Sequence, residues 1–330
     1  MKRFMLILSM VILIMVIPGC SKNEDNTAKN NYEWGGGEQE TESEKNDPNS
    51  ISVGGCVYDK NKKLINPEVD GDLVYDGNKM EFYVRIENSG KKKIKVCMVA
   101  MIKGVLQPYT LEKEKNERYG STVEISPDGT YDYHIFIDPL NVSAKESNAI
   151  KFVTYTSLGA KVLKEDSDAR GIFGALGTVN IKAADEKCER TFKREADVKP
   201  SVNVENKVTD YITGFATKKN DMWQIEVPNS KIKKGKDIFA SVGAPGEPAE
   251  KYSVIQYIDG ELVENINGGH QMYFKSSDKN TYYFKLNKPE EAGEHILAIM
   301  TVPAEYKKND MDIGDYEPVG GTEQIVEIVK

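Results

Sequence analysis

The stretch Lys79–Gly104, KMEFYVRIENSGKKKIKVCMVAMIKG, decides the fold. From Met80 to Glu87 apolar and polar residues alternate, the period of a strand with one buried face. Asn88-Ser89-Gly90 then breaks the pattern with residues that accept tight turns. A second run, Lys95–Ile102, is nearly all apolar and reads as a buried strand, closed by a Lys103-Gly104 turn. Two strands joined by a turn, with no apolar spacing at i, i+3, i+4, predict β-structure.

The same reading extends in both directions. Further strands are predicted at Tyr131–Ile137, Ile150–Thr156, Trp223–Val227, Asp237–Val242, Tyr252–Ile258, Tyr282–Leu286 and Ile296–Val302, with a last one at Gln324–Val329. Asp76-Gly77-Asn78, Pro127-Asp128-Gly129 and Asp259-Gly260 punctuate them as turns. The order of elements repeats. Gly77, a strand through Phe82, a turn, a strand ending at Ile102 and Gly104 are echoed by Gly235, Phe239, Gly243–Gly246, a strand ending at Ile258 and Gly260. Thr130-Tyr131-Asp132-Tyr133, Pro139 and the run from Ile150 are echoed by Thr281-Tyr282-Tyr283-Phe284, Pro289 and the run from Ile296. An all-β chain of two related β-sandwich domains is therefore expected, 51–190 and 191–330, with the boundary near Lys199-Pro200. The length agrees: the 330 residues leave roughly 280 after a leader and a polar segment, enough for two domains.

With their turns, Lys79–Gly104 and the corresponding Lys233-Lys234-Gly235-Lys236 and Tyr257-Ile258-Asp259-Gly260 resemble the Ig-like, adhesion-related and fibronectin-type modules of bacterial surface proteins. The resemblance implies Ig-like sandwiches and no particular ligand.

The N-terminus predicts where such domains would be held. Met1-Lys2-Arg3 precedes an apolar run from Phe4 to Ile17, followed by Pro18-Gly19-Cys20-Ser21. Positive charge before a short apolar stretch is a secretory signal, too short for a permanent spanning helix. Ile17-Pro18-Gly19-Cys20 resembles the lipobox of bacterial lipoproteins, with Pro18 a departure from the pattern. The resemblance implies signal residues 1–19 and a lipid, palmitate included, on Cys20. Residues 20–50 follow as a polar tether with three lysines against eight acids, net −5. It has too little apolar surface to offset the entropy of ordering. Lysine far outnumbers arginine, a bias that points to a low-GC Gram-positive bacterium, while in a Gram-negative one Ser21 after the cysteine would send the protein to the outer membrane. The expected location is the extracellular face of the cell membrane.

A net charge of −8 excludes a basic nucleic-acid-binding class as the default. After Cys20, only Cys56, Cys97 and Cys188 remain, with no metal-knuckle spacing and no histidine placed beside any of them. Their disulfide state is left open; Cys97, within an apolar strand, reads as a buried thiol. His134, His270 and His295 are far apart and read as structural or exposed. No catalytic residue, resident metal or cofactor is indicated. Asp310, Asp312, Asp315 and Glu317 form an acidic loop that could supply oxygen ligands to calcium, but it lacks the glycine position and closing glutamate of the helical calcium loop, and a solvated hairpin is the favoured reading. The apolar, glycine-rich run Gly171–Gly177 offers Ile172, Phe173 and Leu176 as partner contacts, unless it is a loop packed on its own sheet. The 17 tyrosines, notably Tyr131, Tyr133, Tyr282 and Tyr283, suit protein or carbohydrate contacts if they are exposed and a sandwich core if they are not. The expected role is non-catalytic binding or scaffolding towards a protein or cell-wall partner. The rivals are an extracellular enzyme or ligand-binding protein with a site built from distant loops, and a passive surface spacer.

Overall fold

The structure, a computed structural model, describes residues 51–165, 171–192, 202–203, 212–216, 230–233, 235–244, 249–266, 268–277, 280–306 and 320–329. The lipobox cysteine, the acidic loop from Asp310 to Glu317 and the predicted strand Trp223–Val227 lie outside the described residues. The first half of the chain contributes β1 (Val53–Asp59), β2 (Leu73–Tyr75), β3 (Met80–Asn88), β4 (Ile94–Ile102), β5 (Val105–Gln107), β6 (Tyr109–Leu111), β7 (Gly120–Ile125), β8 (Gly129–Ile137), β9 (Asn148–Ser157) and β10 (Ile172–Ala183). A short helix, α1 (Ala160–Glu165), joins the last two. The second half contributes β11 (Val202–Asn203), β12 (Ile212–Ala216), β13 (Ser230–Lys233), β14 (Phe239–Gly243), β15 (Ala249–Ile258), β16 (Glu261–Leu262), β17 (Met272–Lys275), β18 (Asn280–Lys285), β19 (Gly293–Tyr306) and β20 (Gly320–Val329).

Each half is a β-sandwich of the Ig-like kind. In the first, a smaller sheet of order β1-β3-β8-β6 faces a larger one of order β2-β10-β9-β4-β5, with β7 also on β4. The second has β12-β14-β18-β11 facing β13-β20-β19-β15-β16, with β17 on β15. The repeat seen in the residues is thus a repeat of topology in the larger sheets and in three strands of each smaller one; the fourth strands, β6 and β11, enter at different points of the chain. It extends to the edge strands, because β2 runs parallel to β10 as β13 does to β20. The two echoed turns also agree in backbone. Lys103 and Gly104 have φ of 49° and 69°, Asp259 and Gly260 51° and 81°, as a type I′ hairpin requires.

Alternation within the strands builds three apolar layers. In β4, Ile94, Val96, Met98, Ala100 and Ile102 enter the core of the first sandwich with Phe82, Val84, Ile86, Ile135 and Phe152. Tyr252, Val254, Phe274, Phe284, Leu297 and Ile299 form the core of the second. The remaining β4 side chains, Cys97, Val99 and Met101, join Val153 and Tyr155 in a third cluster that also contains Ile255, Tyr257, Ala298, Met300 and Val302. The larger sheets therefore pack face to face, which is why Lys95–Ile102 carries no polar side. Fully burying side chains of this size contributes about 1.5–3 kcal/mol each, so the two sandwiches are joined by a core of their own.

Hydrogen bonds at both ends of this contact are reciprocal. The Gly104 carbonyl in the β4–β5 turn accepts from Gln271 Nε2 at 2.7 Å and Ser253 Oγ at 3.4 Å. The β15–β16 turn does the same towards the first sandwich: Lys95 Nζ donates to the Asp259 carbonyl at 2.7 Å and Thr122 Oγ1 to that of Gly260 at 3.3 Å. At the third corner Tyr155 donates to Glu323 Oε2 at 2.6 Å, and the Gly171 amide donates to the other oxygen of that carboxylate.

One expectation is revised. The glycine-rich run is not a loop but the beginning of β10, paired antiparallel with β9 from Ile172↔Thr156. Gly177 serves packing, since a Cβ there would lie 2.7 Å from Val57 Cγ2, and the pairing shifts by a bulge between Ala175 and Gly177. Cys97 and Cys188 are free thiols, so no disulfide joins any two of Cys56, Cys97 and Cys188. Cys97 is fully buried, takes a hydrogen bond from the Leu262 amide, and burial pushes its thiol up to about 11.

Candidate functional site

Back-to-back packing covers the larger sheets and leaves the outward faces of the smaller ones. On the first sandwich, Phe82, Val84 and Ile86 of β3 and Tyr133, Ile135 and Ile137 of β8 point inward. Period two then sends Glu81, Tyr83 and Arg85 outward beside Asp132, His134 and Phe136. The register lines these residues up across the strands: Tyr58 opposite Tyr83, Tyr83 opposite His134, and Arg85 opposite Asp132. Glu112, just after β6, is held by its amide on the His134 carbonyl at 3.1 Å.

The result is a row of rings and charges standing on the sheet. Tyr83 and His134 stack with centroids 4.2 Å apart and planes 12° from parallel, and Phe136 tilts against His134 at 4.8 Å. Lys62 Nζ lies 5.1 Å above Tyr83, and the Arg85 guanidinium 5.8 Å from Tyr58. His134 has a carboxylate at each nitrogen, Glu81 at 2.8 Å from Nε2 and Glu112 at 3.3 Å from Nδ1. Carboxylates on opposite sides of a ring cannot share one ion with it, and among the described residues no group of ligands suits a metal. Arg85 grips Asp132 through two bonds of 2.8 and 3.0 Å, and this bidentate contact raises its already high pKa further. Partial burial raises the Tyr58 phenol, with Arg85 opposing. The Tyr83 phenol is raised by desolvation first and by Glu81 second.

The equivalent face of the second sandwich differs. Phe239 and Tyr283 are only 7% and 4% exposed and cluster with Ala216. The side chains of Arg85 and Asp132 are 38% and 53% exposed. The face of the first sandwich is therefore open and that of the second is not.

The residues singled out in the sequence fall elsewhere. Leu176 is buried in the first core and Phe173 stacks on Tyr155 at 4.9 Å within the contact between sandwiches, while Ile172 remains exposed. Tyr133 and Tyr282 are core residues, Tyr283 is buried, and Tyr131 stands exposed at the rim, edge-on to Tyr133. The row Tyr58, Tyr83, His134 and Glu112 was not visible beforehand because it exists only through the register of separate strands. The signal available was the polar parity of Met80–Glu87, which carries an aromatic and an arginine where small polar residues would suffice.

No family model matches the chain, and no curated protein does. Some solved structures show a remote likeness to the chain. The transglutaminase of red sea bream is 10% identical with a TM-score of 0.22 over 85% of this chain, which spans 31% of that enzyme's chain. A CsuC-CsuE chaperone-tip adhesion subunit complex of Acinetobacter baumannii is 8% identical, with a TM-score of 0.21 over 78% of this chain and 95% of that one. The class 5 fimbriae chaperone CfaA is 9% identical, with a TM-score of 0.22 over 79% and 97%. Similarity at this level carries no argument about what this chain does.

Proposed function

We propose that this protein is a lipoprotein held by Cys20 on the extracellular face of the cell membrane, whose folded part binds or scaffolds a protein or cell-wall partner without catalysing a reaction. The observation that supports a binding role is the open outward face of the first sandwich, with Tyr58, Tyr83, Arg85, His134 and Phe136 arranged in register. Aromatic and arginine side chains dominate recognition surfaces because they offer large contact area with little rotamer freedom to lose. Here neighbouring side chains already hold them in place, so ordering them would cost binding little.

The test is crosslinking in cells with a photoreactive residue at Glu87 or Thr130, at the border of the face, compared with one at Glu264 on the second sandwich. One captured partner at the first positions, lost in Tyr83→Ala and Arg85→Ala variants, is the expected result. Capture that is equal at both locations or indifferent to the two variants would move the contact off this face. Release of the protein from membranes by a Cys20→Ala change tests the anchor separately.

A further inference from the structure

A cleft opens at the tip of the second sandwich, away from the aromatic face. Its walls carry Lys233, Lys285 and Lys288, Asp237 and Glu290, and the apolar Ile266. Leu286 and Ile328, only 3% and 4% exposed, form the floor. Ile266 is 47% exposed, an apolar rim above an apolar base.

The charges in it are partly consumed. Lys285 pairs with Asp237 at 2.8 Å and holds that carboxyl below its ordinary range. The Lys288 ammonium is held on the Lys236 carbonyl at 3.0 Å and adds, after Lys285, to the field that lowers the Asp237 carboxyl. Lys233 makes no ion pair among the described residues. Three lysines, Lys233, Lys285 and Lys288, stand against two carboxylates, Asp237 and Glu290, so the cleft keeps a net charge of about +1 in a chain of net charge −8. Its wall is anchored from behind: Gln256 bonds both backbone groups of Asn287, at 2.6 and 3.1 Å, and the Asn287 side chain reaches the Glu264 carbonyl at 2.5 Å. The turn that places Lys233 opposite is closed by the Lys236 amide on the Lys233 carbonyl at 3.0 Å.

We infer that this cleft binds a phosphodiester anion bearing a short apolar group, the phosphate between Lys233 and Lys288 and the apolar part against Ile266. Such a ligand could be a lipid headgroup with its first methylenes or a soluble phosphodiester. Both satisfy a singly positive cleft with an apolar rim, while a bare anion would leave Ile266 unused.

The test is titration calorimetry of residues 20–330 with Cys20→Ser, so that neither leader nor lipid is attached, using three probes: dihexanoyl phosphatidylglycerol below its micelle concentration, glycerophosphoglycerol and inorganic phosphate. Saturable binding of the first, weakened about tenfold in each of Lys233→Glu and Lys288→Glu and several-fold in Ile266→Ser, is expected. Equal affinity for glycerophosphoglycerol would assign the soluble source, and equal affinity for inorganic phosphate would remove the apolar half of the proposal. No saturable binding of any probe, or binding that the lysine variants leave intact while their unfolding midpoints match the parent, would overturn it.

Discussion

Gly104 and Gly260 occupy the same place in the two halves, yet their surroundings differ. A Cβ on Gly104 would overlap the Pro303 carbonyl and sit 2.8 Å from the Ala304 Cα, both backbone atoms, whereas one on Gly260 would meet the Lys95 side chain at 2.9 Å. Both have positive φ, so each alanine is strained. Gly104→Ala is expected to cost about 3 kcal/mol or more, because it also forces two sheets apart, and Gly260→Ala about 1 kcal/mol; urea unfolding of the two variants checks the order. Cys97 makes a prediction of a different kind. Its folded pKa is raised to about 11 from an ordinary 9.0, so the native state holds a proton that the unfolded chain releases first. This contribution is complete below about pH 9 and is lost as the pH rises through about 11. Cys97→Ser, which places in the first half the residue that Ser253 supplies in the second, should flatten the fall in stability between pH 8 and 10.5 by about 2 kcal/mol relative to the parent. A thiol reagent on the native chain should modify Cys188 and leave Cys97 untouched until unfolding.

Among elements, β10 separates what the sequence discloses from what it conceals. Strands such as β3 were legible because one face meets a core and the other meets water, which imposes alternation. The hairpins at Lys103-Gly104 and Asp259-Gly260 were legible because only a few residues accept two successive positive φ values. By contrast the start of β10 depends on Gly171, which faces Tyr155 and Glu323, and on Gly177, which faces Val57, residues distant in the chain. The aromatic row of the candidate site depends in the same way on three strand registers and could not be assembled from local pattern. The β9–β10 edge carries its own test. The Tyr155 phenol is pushed well up, by burial first and by Glu323 second, so Tyr155→Phe would remove a donor from a half-buried carboxylate. A loss of about 1–3 kcal/mol is expected. Replacing Glu323 with Gln in the same chain should recover part of it, and a double-mutant cycle measures how much.

For the whole molecule, the cluster between the sandwiches decides how the chain unfolds. Tyr155 and Tyr257 meet there with ring centroids 4.8 Å apart, and neither sheet could leave the other without exposing Val99, Met101, Ile255 and Met300 to water. A single unfolding transition is expected by calorimetry, split into two by Tyr257→Asp, which buries a charge without a partner. If the parent already shows two, the apolar contact is weaker than its burial implies. The reciprocity of that contact has a further meaning. Each half offers the other the same patch of strand and the same turn, which is the geometry of an isologous, two-fold dimer drawn within one chain. Covalent linkage makes the pairing intramolecular, so dilution does not undo it. It also frees the halves from being identical. Met101 answers to Tyr257 and Cys97 to Ser253 across the pseudo-axis. Away from it, one half displays an aromatic face and the other a lysine-lined cleft, a division of labour that a true homodimer could not sustain.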